Sequence, residues 1–585
     1  MLDLRLRGGI VVDGTGAPGR REDVAVRGGR IVVDDGSDAR RTIDAEGLVV
    51  APGFVDLHTH YDAQVFWDPM LTPSPLHGVT TVVAGNCGFA LAPMSEEHQD
   101  YIARMLARVE GMPYDAIADG VPWGWCRHGE LFTALEARGV GVNIGVMAGH
   151  STVRRFVMGE RASAERATAE EVQLMAREVE RAVSEGALGF TTSQALTQPD
   201  GDGRPVPSRF ADDDEILALA GTVRGHRGTM VQYAPPSDRF EDETVELMLT
   251  MSLAADRPVN WNLLIVSDYD AEHCEHQLAA TARGRERGAT IRGLMRPDPV
   301  VFRLSLVNAI QRTTFKNWHE LKLPLAERIT AFTDAENRTS LRARAEDSVL
   351  GHPAVTHELR WGDYVIGETI STANAGLSGR TVGDVARDRG IDPFDAFLDI
   401  AIADEFRGGF YPYSTDGGDE GWAARARLCA DPRMIVGGSD AGGHLDMMCG
   451  PVYSSFFVGE YSRRGLLSLE ECVRLVTTVP AEYIGLVDRG RIAEGYAADL
   501  VVFDPSTIGP GPVDFRYDLP AGGGRVYAPG SGIHRVIVNG EDIVAEGNLT
   551  DARPGAVLRS GQDTQTFDNA AGLAALARPK VSLPG

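Results

Sequence analysis

Lysine is nearly missing from this 585-residue chain: Lys316, Lys322 and Lys580 are the whole supply, and arginine carries the remaining positive charge. Positive charge is itself short, 57 Lys and Arg against 83 Asp and Glu, for a net charge of -26. Phosphate binding needs clustered Lys and Arg, so no nucleic-acid partner is expected. A small substrate is another matter, because it feels local rather than net charge. No apolar run reaches membrane-spanning length, and the start Met1-Leu2-Asp3-Leu4-Arg5 lacks the apolar stretch of a signal segment, so no membrane partner is expected either. The six cysteines (Cys87, Cys126, Cys274, Cys429, Cys449 and Cys472) have no paired spacing. That pattern fits a reducing cytoplasm better than a disulfide framework. Composition leaves homo-oligomerisation open.

What is present reads as one large domain with a smaller companion, since the chain exceeds a single simple core. Residues 1–50 form short strands (Leu4–Val12, Asp23–Arg27, Arg30–Val33, Arg41–Asp44) joined by Gly-rich turns. The same pattern returns at Ala498–Phe503 and His534–Asn539. We therefore expect one β-sandwich built from both chain ends, residues 1–50 and 485–550. Between them, apolar strands alternate with helical segments: Leu48–Leu57, Gly78–Gly85, Gly141–Ala148, Ala187–Ser193, Thr229–Tyr233, Pro258–Ile265, Ala289–Met295 and Met434–Gly438. Thr168–Ser184 is the clearest helix, with Thr168 and Glu171 as a capping box and Val172, Met175, Val179 and Val183 on one face. Eight strands with intervening helices predict an α/β protein, a (β/α)8 TIM barrel over residues 51–484, with chemistry at the C-terminal strand ends. A more polar stretch, about 298–430, reads as an insertion before the last strand. Residues 551–585 read as a tail over the body.

The chemistry concentrates at those strand ends. In APGFVDLHTH, His58 and His60 share one face of a strand, with Thr59 turned away. Two imidazoles on a rigid face form half of a metal site, and zinc is a suitable ion. Two buried core histidines would look the same. Cys87 ends the second strand and can present a thiolate. Asp440, in GGSDAGGH, ends the last strand, where it can bind a metal and take a proton from water, or simply cap a turn. His150 ends the third strand as an oxyanion stabiliser, a third imidazole or a scaffold residue. Gln232, Tyr233 and Asn262 are candidates to hold a substrate amide or carboxylate. Arg292, with Arg154 and Arg296, is a candidate to pair an anionic one. Asp62 follows the His-x-His as an orienting carboxylate or a helix cap. His444 reads as a loop hydrogen-bonder, and His273, Cys274 and His276 as surface residues.

PGFVDLHTH, GVTTVVAGNCG, RVEGMP, GALGFTTS, GGSDAGGHLD and GRIAEGYAADLVVFDP together resemble the amidohydrolase superfamily, and within it the D-aminoacylase (N-acyl-D-amino-acid deacylase) branch. The resemblance implies a distorted (β/α)8 barrel with a sandwich from both termini, and metal-dependent amide hydrolysis. It implies His58, His60, Cys87 and Asp440 as ligands, with Asp440 also the general base. Two further histidines of the branch, from the fifth and sixth strands, are absent here; Gln232 or Tyr233 and Asn262 stand in their places. No lysine precedes Lys316, so a carboxylated lysine bridging two metals is unavailable on the early strands. One zinc per chain is therefore expected, with another divalent metal as the alternative. Four direct ligands would close the site to water, so Cys87 or Asp440 is expected to bind loosely or to stand just behind the direct ligands. The expected reaction is hydrolysis of a linear amide, an N-acyl-(D-)amino acid or peptide-like molecule. Cleavage of a cyclic amide, imide or carbamoyl group on the same fold, and small-molecule binding without catalysis, are the rivals.

Overall fold

The computed structural model describes residues 1–567 apart from 238, 266–270, 300, 308, 310–312, 351–352 and 413–416. Lys580 and the end of the tail lie outside the described residues. In the first strand, Leu2–Arg7, Leu2, Leu4 and Leu6 are buried on one face, the period of two that a half-buried strand dictates. That strand sits in a four-stranded sheet with Val24–Arg27, Arg30–Val32 and Ala39–Asp44. A second sheet of seven strands mixes the chain ends: Val49–Pro52 lies antiparallel to Leu500–Phe503, which pairs in turn with Ile533–Val538. Leu4, Leu6, Val26, Val50, Leu500, Val502 and Ile537 fill the space between the sheets. The two ends thus make one sandwich.

The apolar run Leu48–Leu57 proves to be two strands rather than one. Val49–Pro52 belongs to the sandwich, and Phe54–Asp56 is the first barrel strand. Gly53 divides them, because a Cβ there would stand 2.0 Å from Thr80 Oγ1. We number the barrel strands β1 (Phe54–Asp56), β2 (Val79–Ala84), β3 (Asn143–Val146, resumed at Ala148–Gly149), β4 (Gly189–Ser193), β5 (Met230–Ala234), β6 (Val259–Ile265), β7 (Ile291–Arg296) and β8 (Met434–Val436). Successive strands pair in parallel from β1 to β8. The ring closes beyond the strands themselves, through a parallel bridge between Thr59 and Ala441. His60 N donates to Ala441 O at 2.7 Å and Asp440 N to His58 O at 3.1 Å. Closure therefore forces the ends of the first and last strands together.

Two further features depart from the sequence reading. The tail is part of the barrel wall: Val557–Leu558 pairs in parallel with Ile144 and Gly145 of β3. It fits there because β3 turns from β2 to β4 across Met147, leaving one edge of its first half free. The insertion also ends earlier than residue 430. It holds its own core, with Leu304, Trp318, Phe332, Trp361, Phe397 and Phe410, whereas Trp422, Ala426 and Cys429 of the helix Gly418–Cys429 pack into the barrel core. The polar surface of helices such as Ala335–Ser348 hid that core from a composition-based reading. The insertion is docked on the loop after Asp440, where Arg303 N donates to Met447 O at 2.6 Å and its guanidinium to Asp446 O at 3.2 Å. Helix Ala169–Ser184 carries the expected capping box.

Candidate metal centre

His58 and His60 leave the end of β1 toward the barrel mouth, both buried, with ring centroids 5.3 Å apart. His58 Nε2 lies 3.2 Å and His60 Nε2 3.1 Å from Asp440 Oδ1. Cys87 Sγ lies 3.5 Å from His58 Nε2 and accepts from Asn262 Nδ2 at 3.5 Å. Two groups of donor atoms overlap at His60: His58, His60 and Cys87 in one, His60, Glu110 and Asp440 in the other, each within 4.8 Å. Zinc ligands bound at about 2.0 Å with tetrahedral angles stand about 3.3 Å apart, and a nitrogen–sulfur pair about 3.6 Å. The observed separations match these edges. Both ring nitrogens of His60 are buried without a hydrogen bond, which a bound cation would relieve. The residues present fit a divalent metal.

Backbone strain marks the same place. Cys87, Asp440 and His444 adopt left-handed conformations, with φ of 56°, 60° and 50°, and such strain gathers at functional sites. Burial pushes the His60 pKa down to about 4, keeping the ring neutral and available as a ligand. Burial alone would push the Asp440 carboxyl up, but the facing imidazoles of His58 and His60 hold it well below the usual range. Burial pushes the Cys87 thiol well above its ordinary value. Asp56, which accepts from His58 N at 3.3 Å, is raised by burial to about 6. Asp62 accepts from Gly85 N at 3.1 Å.

Glu110 escaped the sequence reading, although RVEGMP was noted as a motif. It is 2 % exposed, at the end of helix Gln99–Val109, and its Oε2 lies 3.3 Å from His60 Nε2. An acid placed directly after an amphipathic helix and before Gly-Met-Pro was the available signal. Gly443 makes room for it, since a Cβ there would meet Glu110 Oε2 at 2.8 Å. His444 is more than a loop residue: its Nε2 is 3.6 Å from Asp440 Oδ2 and 3.9 Å from Glu110 Oε2.

Gln232 and Asn262 join the cluster; Tyr233, Arg292 and His150 do not. Gln232 accepts from Cys87 N at 3.1 Å and faces His58 Nδ1 at 2.8 Å. Tyr233, its neighbour on β5, points to the other side of the strand, and its hydroxyl binds Gln194. Arg292 shares a face with Arg296, four residues or about 13 Å along β7. Arg296 stands at the mouth, where it pairs with Asp298 and binds Ser439 O at 3.2 Å. Arg292 is at the opposite end, bonded to Met434 O. His150 faces outward, with Nδ1 2.7 Å from Thr192 Oγ1 and Nε2 2.9 Å from Glu215 Oε1. Arg154 Nε donates to the same oxygen at 2.8 Å, so both are scaffold residues.

Burial opposes the Glu215 charge, but His150 and Arg154 hold its pKa below the ordinary value. The resulting stability is present above about pH 4.5 and is lost as pH falls through the lowered value. Glu215→Gln leaves Arg154 buried without its counter-charge and should lower stability by about 3–5 kcal/mol in urea denaturation. The activity of the folded fraction should stay within about threefold. A large activity loss at unchanged stability would restore a catalytic role to His150.

Eight parallel strands closed through a mouth of histidine and carboxylate side chains define a barrel hydrolase. The chain belongs to the amidohydrolase family, whose sequence profile matches residues 41–541. It is 32% identical over 569 residues to a D-aminoacylase of Alcaligenes xylosoxydans xylosoxydans, covering 95% of this chain and 97% of that one. A solved D-aminoacylase, described for its binuclear metal centre with one-metal activation and second-metal attenuation, superposes with a TM-score of 0.65 at 27% identity, over 96% of this chain and 100% of the other. The N-acyl-D-glutamate deacylase of Bordetella bronchiseptica, solved with zinc and a phosphonate mimic of the tetrahedral intermediate, superposes with a TM-score of 0.63 at 26% identity, over 96% and 100%. Among the described residues no helix is long and apolar enough to cross a membrane.

Proposed function

We propose that this protein hydrolyses the linear amide of N-acyl amino acids, with preference for the D-configuration, using one zinc ion per chain. The observation that carries the proposal is Asp440 facing two buried imidazoles across the barrel closure. The residues that would hold the ion lie among His58, His60, Cys87, Glu110 and Asp440. A divalent ion there supplies Lewis acidity to the scissile carbonyl and lowers the pKa of water toward about 7. Asp440 supplies the proton chemistry. Its Oδ1 is engaged by the histidines, which leaves Oδ2 to accept a proton from the attacking water and return it to the leaving amine. His444, 3.6 Å from that oxygen, steadies the carboxylate. Asn262 and Gln232 present amide groups beside the cluster, where they can orient the substrate. The relatives support the substrate class, and the D preference comes from them alone. None of the six cysteines is in a disulfide, which supports a cytoplasmic location.

The test is a panel of N-acyl-D- and N-acyl-L-amino acids, read by mass spectrometry before and after chelation and zinc reconstitution. Expected is release of free amino acid, faster for the D series, lost on chelation and restored by zinc. Ring-opened single products from cyclic amides, with none of the N-acyl compounds cleaved, would overturn the assignment.

A further inference from the structure

Asp440 stands four residues beyond the last strand, in GGSDAGGHLDMMCG, a stretch with five glycines. Gly438 and Gly442 have φ of 78° and 86°. Glycine is the most permissive residue, so such a loop does not hold a side chain in place by itself. On one side the end of β1 ties it, through the backbone bonds of Asp440 and Ala441 to His58 and His60. On the β7 side the tie is Arg296.

Arg296 ends β7 and is 3 % exposed. Its Nη1 donates to Ser439 O at 3.2 Å and to Met448 Sδ at 3.4 Å, so one guanidinium grips the loop near its start and near its end. Nε and Nη2 donate to Asp298 Oδ1 and Oδ2, each at 2.9 Å. Between these two residues, Tyr461 Oη donates to Pro297 O at 2.6 Å. A forked pair of parallel bonds fixes the plane of the guanidinium, which a lysine ammonium does not reproduce. Asp298 also cancels the charge where it arises. With its fork spent on Asp298 and its remaining edge on the loop, Arg296 is not a receptor for a substrate anion, although its place on the strand suggested one. A buried pair of this kind often stabilises no more than apolar packing would, so stability alone does not account for it.

We propose that Arg296 is a positioning residue for the hydrolysis: oriented by Asp298, it fixes the Ser439 carbonyl and through it the direction of the Asp440 carboxylate. This rests on the hydrolase reading above, in which Asp440 carries the proton. A reacting group displaced by about 1 Å costs about 100-fold in rate, so the brace matters without touching substrate.

The experiment uses the full chain saturated with zinc, an N-acyl-D-amino acid that it cleaves, and the carboxamide of the same compound. Arg296→Lys should lower kcat by about 30–100-fold with KM within about threefold for both compounds. Arg296→Ala should lose at least as much and regain about tenfold in millimolar guanidinium chloride, with no gain in sodium chloride or urea. Thermal melts and zinc content on the same preparations establish that each variant is folded and loaded. Should Arg296→Ala fail to fold, Asp298→Asn, which keeps the partner's shape but releases one arm of the fork, should still lower kcat by about tenfold. A KM that rises for the carboxylate compound alone would make Arg296 a substrate anchor and overturn the proposal. So would an unchanged kcat in Arg296→Lys, or a loss in folded Arg296→Ala that guanidinium does not restore. Each of these leaves the hydrolase reading standing; a wild type that cleaves no N-acyl amino acid removes both.

Discussion

Asp440→Asn should leave the protein folded and lower kcat/KM by at least about a thousandfold. Position 440 has φ of 60°, a conformation that Asn tolerates as well as Asp, so the exchange adds no backbone strain. The loop is also held independently of the side chain, by Asp440 N on His58 O and His60 N on Ala441 O. What the exchange removes is charge. An amide cannot take a proton from water, and general acid–base catalysis is worth about 10²–10⁴. The amide also replaces an anion that faces His58 and His60 at 3.2 and 3.1 Å, so zinc affinity should fall too. Kinetics at saturating zinc, zinc content and a thermal melt on the same preparation separate these effects. A variant keeping more than a tenth of the wild-type activity would remove Asp440 from the mechanism.

The second large effect is structural. Gly450→Ala would place a Cβ 1.7 Å from Ser439 O and 2.8 Å from its carbonyl carbon. Both contacts are backbone, so no side chain can swing aside, and Arg296 already occupies that carbonyl. Ser439 directly precedes Asp440, and any shift that relieves the clash moves the Asp440 carboxylate. Stability should fall by about 4 kcal/mol or more in denaturant titration, with activity lost in whatever remains folded. Gly225→Ala is the control. Nothing lies within 4 Å of its added Cβ, and the change should stay within about 0.5 kcal/mol. Equal, small effects at both positions would mean that the 440–450 loop yields freely.

Much of the architecture was written in periodicity. Leu2, Leu4 and Leu6 alternate, the barrel strands are short apolar runs, and helix Ala169–Ser184 announces its cap. The boundary inside Leu48–Leu57 was not legible, because an apolar run carries no mark of which sheet it joins. Only the approach of Thr80 shows why Gly53 must break it. The core of the insertion was hidden in the same way, since its aromatic residues are dispersed among charged helices and meet only in space.

The candidate site divides along the same line. The sequence determined that His58 and His60 share a face and that Asp440 follows the last strand, because strand alternation and element order are local properties. Which groups meet is a property of barrel closure. The bridge from Thr59 to Ala441 brings Asp440 to the histidines, and the end of helix Gln99–Val109 brings Glu110 beside them. His150 and Arg292 sit on strands or next to them as a site residue should, yet one faces the helix layer and the other the far end of β7. Spacing fixes what a side chain can be; the direction in which it points, and the amide of Gln232 that meets His58, exist only once the ring of strands has closed.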